Sequence, residues 1–138
     1  MSPAEALVRR LHAELLASRD LDRLGDFFAD DFTSHNMPPG LPQGIAGVRA
    51  FFQVFLDGLS EIEVTVDELV ADGERVAVAT TTTGIHSGEL LGAAPSGRRV
   101  AVTGIDIVRV SGGRIVEHRG LTDTVGLLRQ LHDGGEPA

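Results

Sequence analysis

The sequence predicts an α+β fold in which helices pack on one face of a curved antiparallel sheet. Three observations predict it. Apolar residues recur at helical spacing up to Leu59, alternate in long strand patterns from Glu61 to Asp123, and return to helical spacing at Thr124–Leu131. Helices ahead of a meander of four long strands belong on one side of the sheet that follows them. A strongly bent sheet closed by helices leaves a conical cavity, a natural site for a small molecule.

The elements follow in order. Ser2-Pro3-Ala4-Glu5 reads as a helix start, with Ser as the cap, Pro in the first turn and Glu closing a capping box. Ala4, Leu7, Val8, Leu11 and Leu15 form the apolar stripe, Arg9, Arg10 and Glu14 face water, and the helix ends near Ser18. Asp20 caps a second short helix through Leu24 and Phe28 that ends around Ala29. Phe32 to His35 is a short strand. Asn36 to Gly44 is a loop, because its three prolines and two glycines permit little else, and it forms a rim or lid over the cavity. A third helix presents Val48, Phe51, Phe52, Phe55 and Leu59 on one face. Glu61 to Val70 alternates, with Ile62, Val64 and Val66 on one side; Asp72-Gly73 is a turn, and Glu74 to His86 is the next strand. His132 to Ala138 is expected to fray. No repeat or boundary interrupts residues 1–138, which read as one domain.

Composition narrows the function. A chain of 138 residues suits one core. The net charge of −8 comes with no basic cluster beyond short Arg pairs, so nucleic acid and anionic membranes are poor partners. There is no apolar run long enough to span a membrane and no signal-peptide layout, which predicts a cytoplasmic protein. The chain has no Cys, Lys or Tyr. Thiol chemistry, Schiff bases and a phenolic oxyanion donor of the ketosteroid-isomerase kind are therefore excluded, and His and carboxylates are left for proton transfer near neutral pH.

The most informative stretch is Arg98–Asp123, two strands joined at Ser111-Gly112-Gly113. Val100, Val102, Gly104, Asp106, Val108 and Val110 share one face, apolar except for one carboxylate. A carboxylate in such a wall needs a partner. A three-residue loop pairs Asp106 with His118 and places Val116, His118 and Gly120 on the same face; a two-residue turn puts Asp106 opposite Arg119 instead. The first register is preferred. The pair Asp106 and His118 then reads either as an acid/base couple in a pocket or as a buried ion pair fixing the sheet. His35 on the loop, Met37, His86 at its strand end, Phe51 and Phe55 are candidate substrate contacts. For His86 a bond to a nearby backbone carbonyl is the favoured alternative, for His35 an exposed loop position is the equal one, and the Phe51, Phe52 and Phe55 stripe is mostly core with one ring at the pocket. Asp123 caps the last helix, and Arg119 faces outward or into a dimer contact. His35, His86 and His118 lack close ligand spacing, so no metal site is expected.

The chain resembles the SnoaL-like polyketide cyclases, within the nuclear transport factor 2-like superfamily. The resemblance rests on His35-Asn36 with its Pro-rich loop, Gly84-Ile85-His86-Ser87-Gly88, Pro95-Ser96-Gly97-Arg98-Arg99, Gly104-Ile105-Asp106-Ile107, Gly113 to His118, and Leu127-Leu128-Arg129-Gln130-Leu131. It implies a cone-shaped α+β barrel, commonly a homodimer, with a pocket inside the cone, no metal or organic cofactor, and ring closure by an intramolecular aldol reaction on a hydrophobic substrate. The resemblance also marks a departure. The cyclases carry their acid/base Asp where this chain has Gly120, and a His where it has Asp106, so the carboxylate and the imidazole have exchanged strands. The expected function is a cyclase or isomerase using Asp106 and His118. Epoxide opening by an activated water, or a non-catalytic ligand-binding or dimerisation module, are the alternatives.

Overall fold

A computed structural model describes residues 1–133. The elements run α1 (Pro3–Ser18), a 3-10 helix (Leu21–Asp26), β1 (Phe28–Ser34), α2 (Gly44–Gly58), β2 (Leu59–Asp72), β3 (Arg75–His86), β4 (Arg99–Ser111), β5 (Arg114–Thr122) and α3 (Thr124–Asp133). Helix α1 starts as its sequence dictates. Ser2 Oγ accepts from the Glu5 N–H at 3.1 Å, Pro3 opens the first turn, and Leu7, Val8, Leu11 and Leu15 are buried. Its end is closed by Arg19 in the left-handed conformation.

Two expectations change here. The second helix is a single 3-10 stretch capped by Asp20, and Phe28 and Ala29 already belong to β1. The rings of Phe28 and Phe32 meet edge-to-face at 5.0 Å and both are buried, so packing of the aromatic pair overrides the helical spacing of Leu24 and Phe28. At the other end, α3 continues through His132 to Asp133. The remainder of the expected frayed tail, residues 134–138, lies outside the described residues.

The strand order is β1-β5-β4-β3-β2, with β2 to β5 antiparallel and β1 parallel to β5. The sheet is curved and unclosed: among the described residues β1 and β2 are its two free edges, so the expected barrel is an open cone. Helix α1 crosses β2, β3 and β4, α2 covers β1, and α3 lies against β4. The core between them gathers Phe27, Leu24, Val76, Val78, Ile115 and Leu127, all essentially inaccessible. Among the described residues no helix is long and apolar enough to cross a membrane.

Where the sheet lacks a neighbouring strand, side-chain amides stand in for one. Gln130 from α3 accepts from the Ala101 N–H at 2.8 Å and donates to its carbonyl at 2.7 Å. Gln43 makes the same two-point contact with Ser34, at 3.1 and 2.9 Å, and Asn36 does so with Gly120, at 3.0 and 2.6 Å. Each contact satisfies one backbone donor and one acceptor at the end of a ladder. Gln130 is the most sealed of the three, 2% exposed. Replacing it with Leu leaves the Ala101 amide unpaired in the interior. The expected cost is ~1–3 kcal/mol of stability, measured as a lower urea midpoint with an unchanged slope.

Candidate functional site

The hairpin of β4 and β5 turns on two residues. Ser111 pairs with Arg114, and Gly112 and Gly113 both adopt positive φ, at 61° and 79°. That is the backbone of the tight primed turn, which only glycine enters freely at both places. The preferred three-residue loop is therefore replaced. The simple two-residue register does not persist either. Val110 faces Ile115, but Arg109 faces Glu117, so Val116 is an extra residue in a bulge. From there Val108 pairs with His118 and Asp106 with Gly120. Ile115, not Val116, takes the fully buried position.

The bulge decides which way the imidazole points. A two-residue turn alone would bring Arg119 to the inner face and turn His118 outward. One inserted residue reverses the parity and returns His118 to the face of Asp106. The two side chains then meet diagonally, His118 Nε2 donating to Asp106 Oδ1 at 2.7 Å. The expected pair is present, but the residue directly across from Asp106 is Gly120.

Gly120 makes room for that diagonal bond. A Cβ built on Gly120 would overlap Asp106 Oδ1 and lie 2.9 Å from His118 Nε2. Asn36 holds the Gly120 peptide from the other side through its two amide bonds. Strand β1 supplies a third group: the buried Ser34 Oγ lies 3.3 Å from His118 Nδ1. With the imidazole neutral and its proton on Nε2, the Ser34 hydroxyl donates to Nδ1. Ser34, His118 and Asp106 thus form one chain of hydrogen bonds, and the two titratable members remain about one quarter exposed, at 26% and 29%.

These groups border a cavity of about 430 Å³ beneath α1 and α2. Phe51, Phe52 and Phe55 from α2 and Met37 from the Pro-rich loop form its apolar side. Phe51 touches the other two rings edge-to-face, at 5.7 and 5.3 Å. Asp106, His118, Thr80 and Thr82 form the polar side. Met37, Phe51 and Phe55 therefore stand where a ligand contact was expected. Pro38 and Pro39 line the rim, as the loop composition suggested.

His86 and His35 do not join them. His86 is fully buried away from the cavity, its ring bonded to Ser96 Oγ at 3.0 Å and to the Ala93 carbonyl at 3.3 Å. It follows the structural alternative, pinning the β3–β4 connection. His35 follows Ser34 on an extended backbone, so it points to the opposite face of the sheet. There its Nε2 donates to Glu117 at 2.8 Å. That bond, together with the Arg109 guanidinium, holds the Glu117 carboxyl down to about 2. The three histidines weighed as a metal set thus occupy three separate places. Asp123 accepts from the Gly126 N–H at 2.9 Å and caps α3, and Arg119 is exposed on the outer face.

Ser34, Thr80, Thr82 and His12 line the cavity without having been candidates in the sequence, and of these only His12 is titratable. His12 on α1 lines the cavity, partly buried, one turn from the buried Val8 and Leu16. Its place in the i, i+4 stripe was the available signal, since a lone polar residue in an apolar row faces whatever the row faces. Burial holds its imidazole below the ordinary histidine range, and the Asp106 carboxylate pulls in the opposite direction.

Substituting Gly120 tests this geometry directly. Gly120→Ala is expected to fold, because the overlapped atom ends a short side chain that can rotate away. It is expected to lose the His118–Asp106 bond, read as disappearance of the hydrogen-bonded His118 Nε2–H signal in proton NMR. Persistence of that signal would show that the space at Gly120 is not required.

Residues 6–131 match the family model for the SnoaL-like polyketide cyclases. Aklanonic acid methyl ester cyclase DauD of Streptomyces sp. (strain C5) is 29% identical over 143 residues, covering 99% of this chain and 84% of the relative. Nogalonic acid methyl ester cyclase of Streptomyces nogalater is 32% identical, covering 72% of this chain and 69% of the relative. Among solved structures, IdmH from Streptomyces antibioticus superposes with a TM-score of 0.80 at 32% identity, covering 95% of this chain and 99% of IdmH. With the family's sequence pattern running almost end to end and its fold shared, the chain belongs to the SnoaL-like polyketide cyclases.

Proposed function

We propose that this protein is a cofactor-independent cyclase or isomerase that moves protons on a polyketide-like or other apolar carbonyl compound. The observation that carries the reading is the Asp106–His118 hydrogen bond on the polar side of a cavity whose facing side is a row of aromatic rings. Asp106 is the base. It takes a proton from a carbon beside a carbonyl, and the electron pair moves onto the carbonyl oxygen. The activated carbon closes on a second carbonyl, and the dyad returns the proton to the alkoxide that forms. Atoms and charge balance within the substrate and the two side chains. His118 holds the Asp106 carboxylate in place and passes the proton, with Ser34 fixing the imidazole from behind. The aromatic row and Met37 hold the rings of the substrate so that the closing carbons meet.

The relatives named as cyclases of aklanonic and nogalonic acid methyl esters support those two esters as the first compounds to assay. The epoxide-opening alternative draws less support, since among the described residues no arginine lines the cavity to bind an opened oxygen. The expected result is turnover of at least one of the two esters by the wild type. Asp106→Asn and His118→Ala are each expected to lower it by roughly 10²–10⁴-fold, the usual size of a positioned acid/base contribution. Tight binding of both esters by all three proteins without turnover would support a ligand-binding module instead.

The outer face of the sheet supports a homodimer. Ile105, Ile107 and Leu121 stand together on β4 and β5, with Ile105 61% and Leu121 77% exposed. A contiguous apolar patch on a strand face is a docking surface more often than free surface. Sedimentation is expected to give a dimer for the wild type and a monomer for Ile105→Asp combined with Leu121→Asp. A wild-type monomer at micromolar concentration would overturn this assignment.

A further inference from the structure

We propose that His12 is the substrate-polarising residue of the cavity, donating a ring N–H to the carbonyl oxygen that gains charge when Asp106 removes the neighbouring proton. The inference rests on the reading of Asp106 as base, and it adds a role on a different element of the fold.

His12 occupies an apolar row. Val8 and Leu16, one turn to either side, are buried, and α2 presents only apolar side chains to the same cavity. A polar ring in such a row is costly unless its nitrogens are used. Among the described residues neither nitrogen of His12 has a protein partner, and no sealed side-chain nitrogen or oxygen goes unbonded. The nitrogens of His12 are therefore not sealed in the interior, and the residue that carries them lines the cavity. The other nitrogen-bearing side chains of the lining are already engaged: His118 with Asp106 and Ser34, and Asn36 with the Gly120 peptide. His12 alone offers an uncommitted ring nitrogen to a guest.

The charge balance suits a neutral donor. The titratable groups facing His12 across the cavity are Asp106 on β4 and His118 on β5. On its own helix Arg9, Arg10 and Glu14 pair among themselves or with neighbours on the outer side. Burial lowers the pKa of the imidazole, which favours the neutral form beside the base it faces, against the opposing pull of the Asp106 carboxylate. In the step itself the C–H bond breaks, its proton goes to Asp106, and the electron pair moves to the carbonyl oxygen. His12 keeps its proton and meets the new charge with a hydrogen bond. A fixed donor aimed at developing charge strengthens as the transition state forms.

Two measurements test this. In the first, 1,8-dihydroxyanthraquinone, a planar carbonyl probe, is titrated into wild type, His12→Ala, His12→Gln and Asp106→Asn, with histidine side-chain nitrogens followed by NMR. The expected result is a shift of the His12 nitrogen signal, roughly tenfold weaker binding in His12→Ala, and partial recovery in His12→Gln, whose amide can also donate. An unmoved signal with equal affinity in all four proteins overturns the proposal. In the second, kcat and KM are compared on whichever methyl ester is turned over. A fall of about 10²-fold in kcat for His12→Ala with KM little changed supports transition-state polarisation. Wild-type kcat in His12→Ala beside loss in Asp106→Asn overturns the role of His12 and leaves the acid/base reading standing. Full activity in Asp106→Asn overturns that reading itself.

Discussion

The site depends on a constraint of strand parity. Side chains alternate along β5, so whether the number of paired residues between the turn and His118 is odd or even decides whether the imidazole faces the cavity or solvent. The Gly112-Gly113 turn sets the count wrongly, and the bulge at Val116 corrects it. The correction displaces His118 by one pair from Asp106. It places Gly120 in the position opposite the carboxylate, where the missing side chain leaves the imidazole space to reach across. Turn, bulge and glycine are three local choices with one outcome, a hydrogen bond on the cavity wall.

This view changes the meaning of Gly120. By comparison with the family pattern it marks an acid that is missing. In the structure it is the condition for the acid–imidazole pair that is present. A carboxylate at that place would collide with Asp106 and bring a second negative charge against it, which is unfavourable at such a distance. Asp106 and an acid at residue 120 are alternatives for the same space. In this chain the carboxylate inside the cone stands on β4, at Asp106, and the facing position on β5 is left without a side chain.

Much of the architecture was legible from periodicity. The order of helices and strands, the apolar face of β4, the Pro-rich rim and the cap by Asp123 all follow from local chemistry that tertiary packing did not override. The pairing of Asp106 with His118 was legible as chemistry: a carboxylate on a valine face calls for a partner. Its register was not legible, because a bulge is one extra residue whose presence depends on which of Ile115 and Val116 fits the core. Phe28 was misplaced because burying an aromatic pair outweighs a short helical pattern. His86 and His35 were candidate ligand contacts because both stand at strand ends near Gly or Pro, although for His86 a bond to a backbone carbonyl was already the favoured reading. What separates them is facing: His86 points into a sealed corner, and His35 takes the outward parity beside Glu117. His12 was passed over because Val8 and Leu16, one turn to either side, made its row look like core.

The amide contacts at the ends of the ladders carry a consequence in time. Asn36 holds β5 through one accepting oxygen and one donating nitrogen, both aimed at the Gly120 peptide. Slow hydrolysis of that amide would exchange the nitrogen for a second oxygen and set a carboxylate against the Gly120 carbonyl. Two acceptors cannot share a proton that neither carries. Stored protein would then loosen first where the rim is tied to the sheet beside Asp106 and His118, so the cavity wall would age ahead of the core.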